Sequence, residues 1–300
     1  MESLKTILYF SIFKYPLKLE EICSFHPDKD RKNIEAELAG LIEKNVICKV
    51  DEFYLPDCDL ECIEKRKKGN LMAAEVLGKA KERAEFISRF PFVEGVGVSG
   101  SLSKGYYDSK SDIDFFVITK PGKVWIARTL LMLYKKIFLL NSRKYFCINY
   151  FLSSANLEVE EKNRFTATEI KTLIPFQGKD TLEAFYRKNE WISNIFGPFA
   201  PDLASVPNIT KPGLSKVAEN VFDNRFGDFV DRMFKKITVR FWEIKFRNMR
   251  AEDFKIALKS TRSVSKHHPM NFQKKVIMAL NEKYDELHKN HNIELPKEYA

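Results

Sequence analysis

VGVSGSLSKGYYDSKSDIDFFVIT, residues 96–119, decides how this chain is read. A short apolar run ends in Gly100-Ser101, ten residues intervene, and Asp112-Ile113-Asp114 then opens a second apolar run, Phe115 to Ile118. The pattern predicts strand, loop, strand. Successive side chains of a strand point to opposite faces, so Asp112 and Asp114 share one face and Ile113 takes the other. Two like charges side by side are costly unless a cation lies between them, and hard carboxylate oxygens on a rigid element suit Mg²⁺ together with substrate phosphates.

Each residue of this constellation has a physical task. Gly100 lets the backbone turn tightly and lets a phosphate approach it closely, while Ser101 offers a hydroxyl and an N–H to the same anion. Lys104 stands in the loop, where a cation neutralises phosphate charge. Asp112 and Asp114 are the expected metal ligands and catalytic carboxylates, following the logic by which a metal clamps phosphates and activates an incoming hydroxyl. A lone Gly-Ser is usually a turn and a lone Asp-x-Asp a solvated strand end; only their combination carries the chemistry.

The stretch resembles the signature of the polymerase-β-like nucleotidyltransferase superfamily, most closely its stand-alone nucleotidyltransferase-domain proteins, over about residues 93–155. The resemblance implies a small mixed sheet flanked by helices, Mg²⁺, an NTP donor, and transfer of a nucleoside monophosphate to an acceptor hydroxyl. It carries Gly100 and Ser101 over as donor-phosphate contacts and Asp112 and Asp114 as metal ligands. The family places a third carboxylate on a later strand. Here that strand reads KYFCINYFL, residues 144–152, and its one internal polar residue is Asn149. An amide oxygen can ligate a metal but brings no charge and cannot act as a base. Three accounts stay open: Asn149 serves in a weakened site; Glu158, Glu160 or Glu161 supplies the carboxylate from a loop; or the domain binds nucleotide without turnover, as a regulatory protein.

With 300 residues, 44% apolar and 13% aromatic, the chain can build more than one core. A formal charge of +9 favours phosphate-bearing partners without specifying one. Cys23, Cys48, Cys58, Cys62 and Cys147 do not form the pattern of a disulfide framework, which points to a reducing cytoplasm. The N-terminal MESLKTILYFSIFKYPL lacks the marks of a signal peptide, and the apolar run from Val124 to Leu140 is broken by Arg128, Lys135 and Lys136, which argues against a membrane span.

The predicted fold class is α+β: a small mixed-sheet core with an N-terminal winged-helix-like module and a C-terminal helical domain. Helices over Leu4–Phe13, Leu17–Cys23 and Ile34–Glu43, then a hairpin with Asp51-Glu52 at its turn, give the winged-helix arrangement over residues 1–59. A charged connecting helix follows over 60–92, with a break expected near Gly69-Asn70. The α/β domain spans 93–200, with a capping box read at Thr166–Glu169, and an all-α region spans 201–300.

The helix from Asp30 to Lys44 mixes Arg31 and Lys32 with Glu35, Glu37 and Glu43, so nucleic acid is permitted but not favoured as a partner. Cys23, His26, Cys58 and Cys62 have a spacing that permits zinc, although Cys23 on an apolar face reads as core. Residues 259–269, KSTRSVSKHHP, read as a basic turn between helices, and residues 232–250, which interleave aromatics with cations, as an amphipathic core helix.

Overall fold

A computed structural model describes residues 1–299. The N-terminal elements are α1 (Glu2–Ser11), β1 (Leu17–Lys18), α2 (Leu19–Ser24), α3 (Arg31–Glu43), β2 (Cys48–Val50) and β3 (Phe53–Leu55), with the strands in antiparallel order β1-β3-β2. Ile34, Leu38 and Leu41 recur at helical spacing and form the buried stripe of α3. Leu17, expected to open a helix, instead pairs with Tyr54 as a strand residue. Cys48 and Cys58 are disulfide-bonded, with Cα atoms 5.9 Å apart, so the expectation of a reduced set of thiols fails at this pair. Four zinc ligands do not assemble, because Cys58 is used in that bond, the Cys62 thiol donates to Asp59, and the His26 ring engages Asp28 and Glu37.

The connecting helix α4 (Leu60–Ser88) runs without the break expected at Gly69-Asn70. Gly69 is needed for packing: a Cβ there would enter the Tyr106 ring. Arg66, 3% exposed, pairs with Glu21 at 2.7 Å and lies over the Tyr15 and Phe53 rings, which fastens α4 to the N-terminal elements.

The core then runs β4 (Val93–Ser99), α5 (Gly100–Ser103), β5 (Asp114–Thr119), α6 (Val124–Phe138), β6 (Cys147–Ser153), α7 (Arg164–Thr172), β7 (Ile174–Gln177), α8 (Lys179–Lys188) and α9 (Ser193–Phe196). After it come α10 (Gly213–Phe222), α11 (Arg225–Lys245), α12 (Ala251–Ala257), β8 (Val264–Lys266) and α13 (Phe272–His291). The five strands order as β7-β4-β5-β6-β8; β5 and β6 are parallel and the other pairs antiparallel, so the sheet is mixed and the chain is α+β. Val96, Val98, Phe115, Val117, Ile148 and Phe151 put one apolar face of the sheet into a core shared with α4 and α6.

Two local readings give way to the tertiary structure, which also adds a strand that they did not include. Ile174–Gln177 carries Pro175, which argues against a central strand; β7 is an edge strand, where a missing N–H is tolerated. Val264–Lys266, read as part of a turn, is β8, and it covers the free edge of β6, so the C-terminal region completes the sheet and is not all-α. Finally, α11 is not a core helix. Phe229, Ile237, Phe241 and Ile244 are exposed, while the buried side carries Gly227, Asp231 and Trp242. Asp231 explains this orientation: its Oδ1 accepts from the Trp125 and Ile126 N–H groups at 2.7 and 2.9 Å, capping the first turn of α6, and burial pushes its carboxyl up to about 6.

Candidate active site

Gly100 follows β4 directly and begins α5 with φ +74°, a backbone conformation that glycine adopts without strain. In the antiparallel register Ser99 lies opposite Asp114, which brings this turn against the second strand. A Cβ on Gly100 would stand 2.5 Å from Asp114 Oδ2, so the glycine is required by the approach of the carboxylate as well as by φ. The Ser101 carbonyl accepts from the Lys104 and Tyr106 N–H groups at 3.0 Å each, closing the loop after α5.

Asp114 begins β5, and Asp112 lies just before the strand, where Ile113 accepts and donates the backbone bonds that join it to Cys147 and Lys144. Burial pushes the Asp114 carboxyl up to about 7; the neighbouring Cys147 thiol opposes this, and the charges of Asp112 and Glu169 add to the rise. The Asp112–Asp114 pair expected from the sequence is therefore close enough to interact.

Asn149 reaches the same place by an irregularity in the sheet. Phe115 pairs with Ile148 and Phe116 with Tyr150, so Asn149 is the extra residue of a bulge. Bulges re-aim side chains. Here the amide Nδ2 donates to Asp114 Oδ1 at 2.7 Å, while Asn149 Oδ1 accepts from the Cys147 thiol at 3.2 Å. Glu158, Glu160 and Glu161 are engaged elsewhere, Glu158 with Lys162 and the other two with Lys259.

The carboxylate that sequence reasoning missed is Glu169. Helix α7 begins at Arg164 and is capped by Asn163, whose side chain accepts from the Thr166 N–H, so Thr166 lies inside the helix and the capping box read at Thr166–Glu169 does not form. Glu169 is left free to face α5. Its Oε1 accepts from Lys104 Nζ at 2.7 Å and its Oε2 from the Gly100 N–H at 3.3 Å. Lys104, expected to stand free for a phosphate, is thus salt-bridged and also donates to the Gly100 carbonyl at 3.1 Å. One helical turn of period 3.6 separates Glu169 from Phe165 and Thr172, and its contact partners lie 65 and 69 residues away, so no local pattern marks it.

Among the described residues no group of three His, Cys, Asp or Glu is arranged to hold a metal. Mg²⁺ does not need a full protein cage; it takes one or two carboxylates and completes its shell with water and phosphate oxygens. Asp112 and Asp114 fit that demand, because the crowding that disfavours ionisation of Asp114 is what a cation relieves. A cavity of about 610 Å³ lies on the α5 side of the site, between Tyr15 and Arg66 on one wall and Ser103, Lys104 and Thr172 on the other.

Residues 79–185 match the family model described as "Nucleotidyltransferase domain". The match runs from the second half of α4 into α8 and takes in Gly100, Asp112, Asp114, Asn149 and Glu169, and it supports the nucleotidyltransferase superfamily for this segment. It does not favour a purely regulatory chain. No curated protein and no solved structure matches the chain. Among the described residues no helix is long and apolar enough to cross a membrane.

Proposed function

We propose that this protein transfers a nucleoside monophosphate from an NTP to an acceptor hydroxyl, with Mg²⁺ held by Asp112 and Asp114. The observation that carries the reading is the fit of Gly100 against Asp114, at φ +74° and with no room for a Cβ, beside a carboxylate pair at a strand mouth. In the reaction the acceptor oxygen bonds to the donor α-phosphorus, the bond from that phosphorus to its bridging oxygen breaks, and pyrophosphate leaves with the electron pair. The hydroxyl proton passes to a carboxylate or to solvent. Bound at Asp112 and Asp114, Mg²⁺ supplies charge neutralisation for the phosphate oxygens.

The chain's own residues position the reactants. Gly100 lets the donor phosphates approach the turn closely, and Ser101 presents its backbone N–H and its hydroxyl to them. Glu169 braces that turn from α7, directly and through Lys104, and Asn149 orients Asp114 through the hydrogen bond from its amide. We read residues 1–59 as a winged-helix-like accessory, 60–92 as its connection, and 93–200 as the catalytic unit, with 201–300 packed on it.

Calorimetric titration of MgATP, MgGTP, MgCTP and MgUTP into the wild type and into Asp112→Asn/Asp114→Asn tests this reading. Metal-dependent binding of an NTP that the double variant loses is the expected result. Failure of every NTP to bind the wild type overturns it.

A further inference from the structure

The sheet order places Gly100 on the β4 side of Asp114, and β6 and β8 on the other side. On that second flank the structure gathers cations that form no salt bridge with a described carboxylate. Helix α6 packs against β6, β8 and α11 and presents Arg128 and Lys135, seven residues apart, on one face. Two helical turns separate them by about 10 Å along the axis. Lys135 is 6% exposed, yet its side chain makes no hydrogen bond or ion pair to a described residue. Arg128 lies over the Trp242 ring at 4.8 Å and near Trp125 at 5.9 Å, again without a carboxylate among the described residues.

Two exposed cations complete the group: Arg143, in the turn before β6, and Lys245, at the end of α11. Arg128, Arg143 and Lys245 act on His267, whose backbone N–H donates to the Asn149 carbonyl at 2.8 Å and whose ring packs on Trp242 at 4.9 Å. Burial first, and then Arg128, the neighbouring His268 ring, Lys245 and Arg143, push His267 down to about 3, so this ring stays neutral. Lys135 links the cluster to the reaction centre, because the charge of Asp112 acts on it.

Like charges gathered in partly buried surroundings without a counter-ion are costly, since each loses part of its hydration and gains repulsion. The Trp242 face under Arg128 stabilises the cation but neutralises nothing. An anion that enters between Arg128 and Lys135 removes the penalty. The donor phosphates are assigned to the Gly100-Ser101 turn on the opposite flank, which leaves this anion to the other reactant.

We infer that the β6–β8 flank receives an acceptor bearing a phosphate group, gripped by Lys135 and Arg128 with Arg143 and Lys245 at the rim, while its hydroxyl lies at Asp114. The inference rests on the nucleotidyl-transfer reading: the acceptor oxygen still displaces pyrophosphate from the α-phosphorus, and the acceptor's own phosphate is unchanged.

The test titrates two kinds of probe into the full chain and into Arg128→Met/Lys135→Met: the MgNTP that binds best, and inorganic phosphate followed by ribose 5-phosphate and a 5′-phosphorylated hexaadenylate. The expected result is phosphate and phosphoester binding that weakens at least tenfold in the variant while MgNTP affinity stays within twofold. Ribose 5-phosphate bound as well as the oligonucleotide identifies a small acceptor, and a large preference for the oligonucleotide identifies an RNA end. If MgNTP affinity falls in parallel, the cations serve the donor and the inference is overturned; unchanged phosphate binding overturns it too. If the wild type binds phosphate through these cations but binds no MgNTP, the transferase reading has failed and the acceptor role falls with it, while the anion site itself stands. Should the buried variant fold poorly, the exposed Arg143→Gln/Lys245→Gln variant repeats the comparison, with a threefold or greater loss of phosphate affinity expected and no loss refuting the site.

Discussion

Gly100→Ala is the most direct perturbation of the proposed site, because it adds one carbon where the structure has no room for it. At φ +74° an alanine pays about 1–2 kcal/mol for the left-handed backbone. The new Cβ would stand 2.5 Å from Asp114 Oδ2 and 3.3 Å from its Cβ and Cγ. The oxygen contact is roughly 1 Å inside an ordinary carbon–oxygen separation, so relief requires the carboxylate or the turn to move by about that distance. A displacement of about 1 Å at reacting groups costs on the order of 100-fold in rate. Urea unfolding is expected to show Gly100→Ala less stable by about 1–2 kcal/mol, and calorimetry to show Mg-dependent NTP affinity at least tenfold weaker. Gly78→Ala is the control: Gly78 lies on the exposed side of α4 with open space around its Cα, so the same change there is expected to stabilise the helix by up to about 1 kcal/mol and leave NTP binding alone. If Gly100→Ala bound MgNTP as the wild type does, the turn would not be shaped around Asp114 for phosphate chemistry, and the reasoning would be refuted.

Other outcomes follow from the same contacts. Glu169→Gln removes the charge that holds Lys104 and is expected to weaken MgNTP binding about tenfold, in line with about 1.5–3 kcal/mol for a charge-assisted bond, while the chain remains folded by circular dichroism; unchanged binding would confine Glu169 to a structural role. Asn149→Asp sets a carboxylate beside Asp114 and is expected to steepen the Mg²⁺ dependence of NTP binding, which titration at several Mg²⁺ concentrations reads; a flat response would place Asn149 outside the metal's surroundings. Asp231 has a folded-state carboxyl raised to about 6, so its stabilising contribution is complete below the ordinary Asp range and is lost as pH rises through 6. From pH 4.5 to pH 7 this removes about 2 kcal/mol. Asp231→Asn, which keeps an oxygen for the Trp125 and Ile126 N–H groups, is expected to lose that dependence in denaturant titrations at the two pH values, and an identical slope in both proteins would count against it.

The amino-acid sequence by itself determined the strand-turn-strand centred on Gly100, Asp112 and Asp114, because alternation of apolar residues, a glycine at the turn and a carboxylate pair are all local signals. The start of β4 at Val93, the start of α6 at Val124 and the stripe of α3 were legible for the same reason: burial on one face leaves a period in the residues themselves. What only the tertiary structure decided lies in contacts between distant positions. Pro175 hid β7, because whether a strand lies at an edge depends on what pairs with it. The length and polar character of Val264–Lys266 suggested a turn until β6 offered an edge to cover. The exposed apolar side of α11 has the period of a core helix, and only Asp231 docked on α6 shows which face turns inward. At the site, Asn149 reaches Asp114 through a bulge, and Glu169 reaches Lys104 across 65 residues. Such meetings are set by the packing of whole elements, which the period of a single segment does not encode.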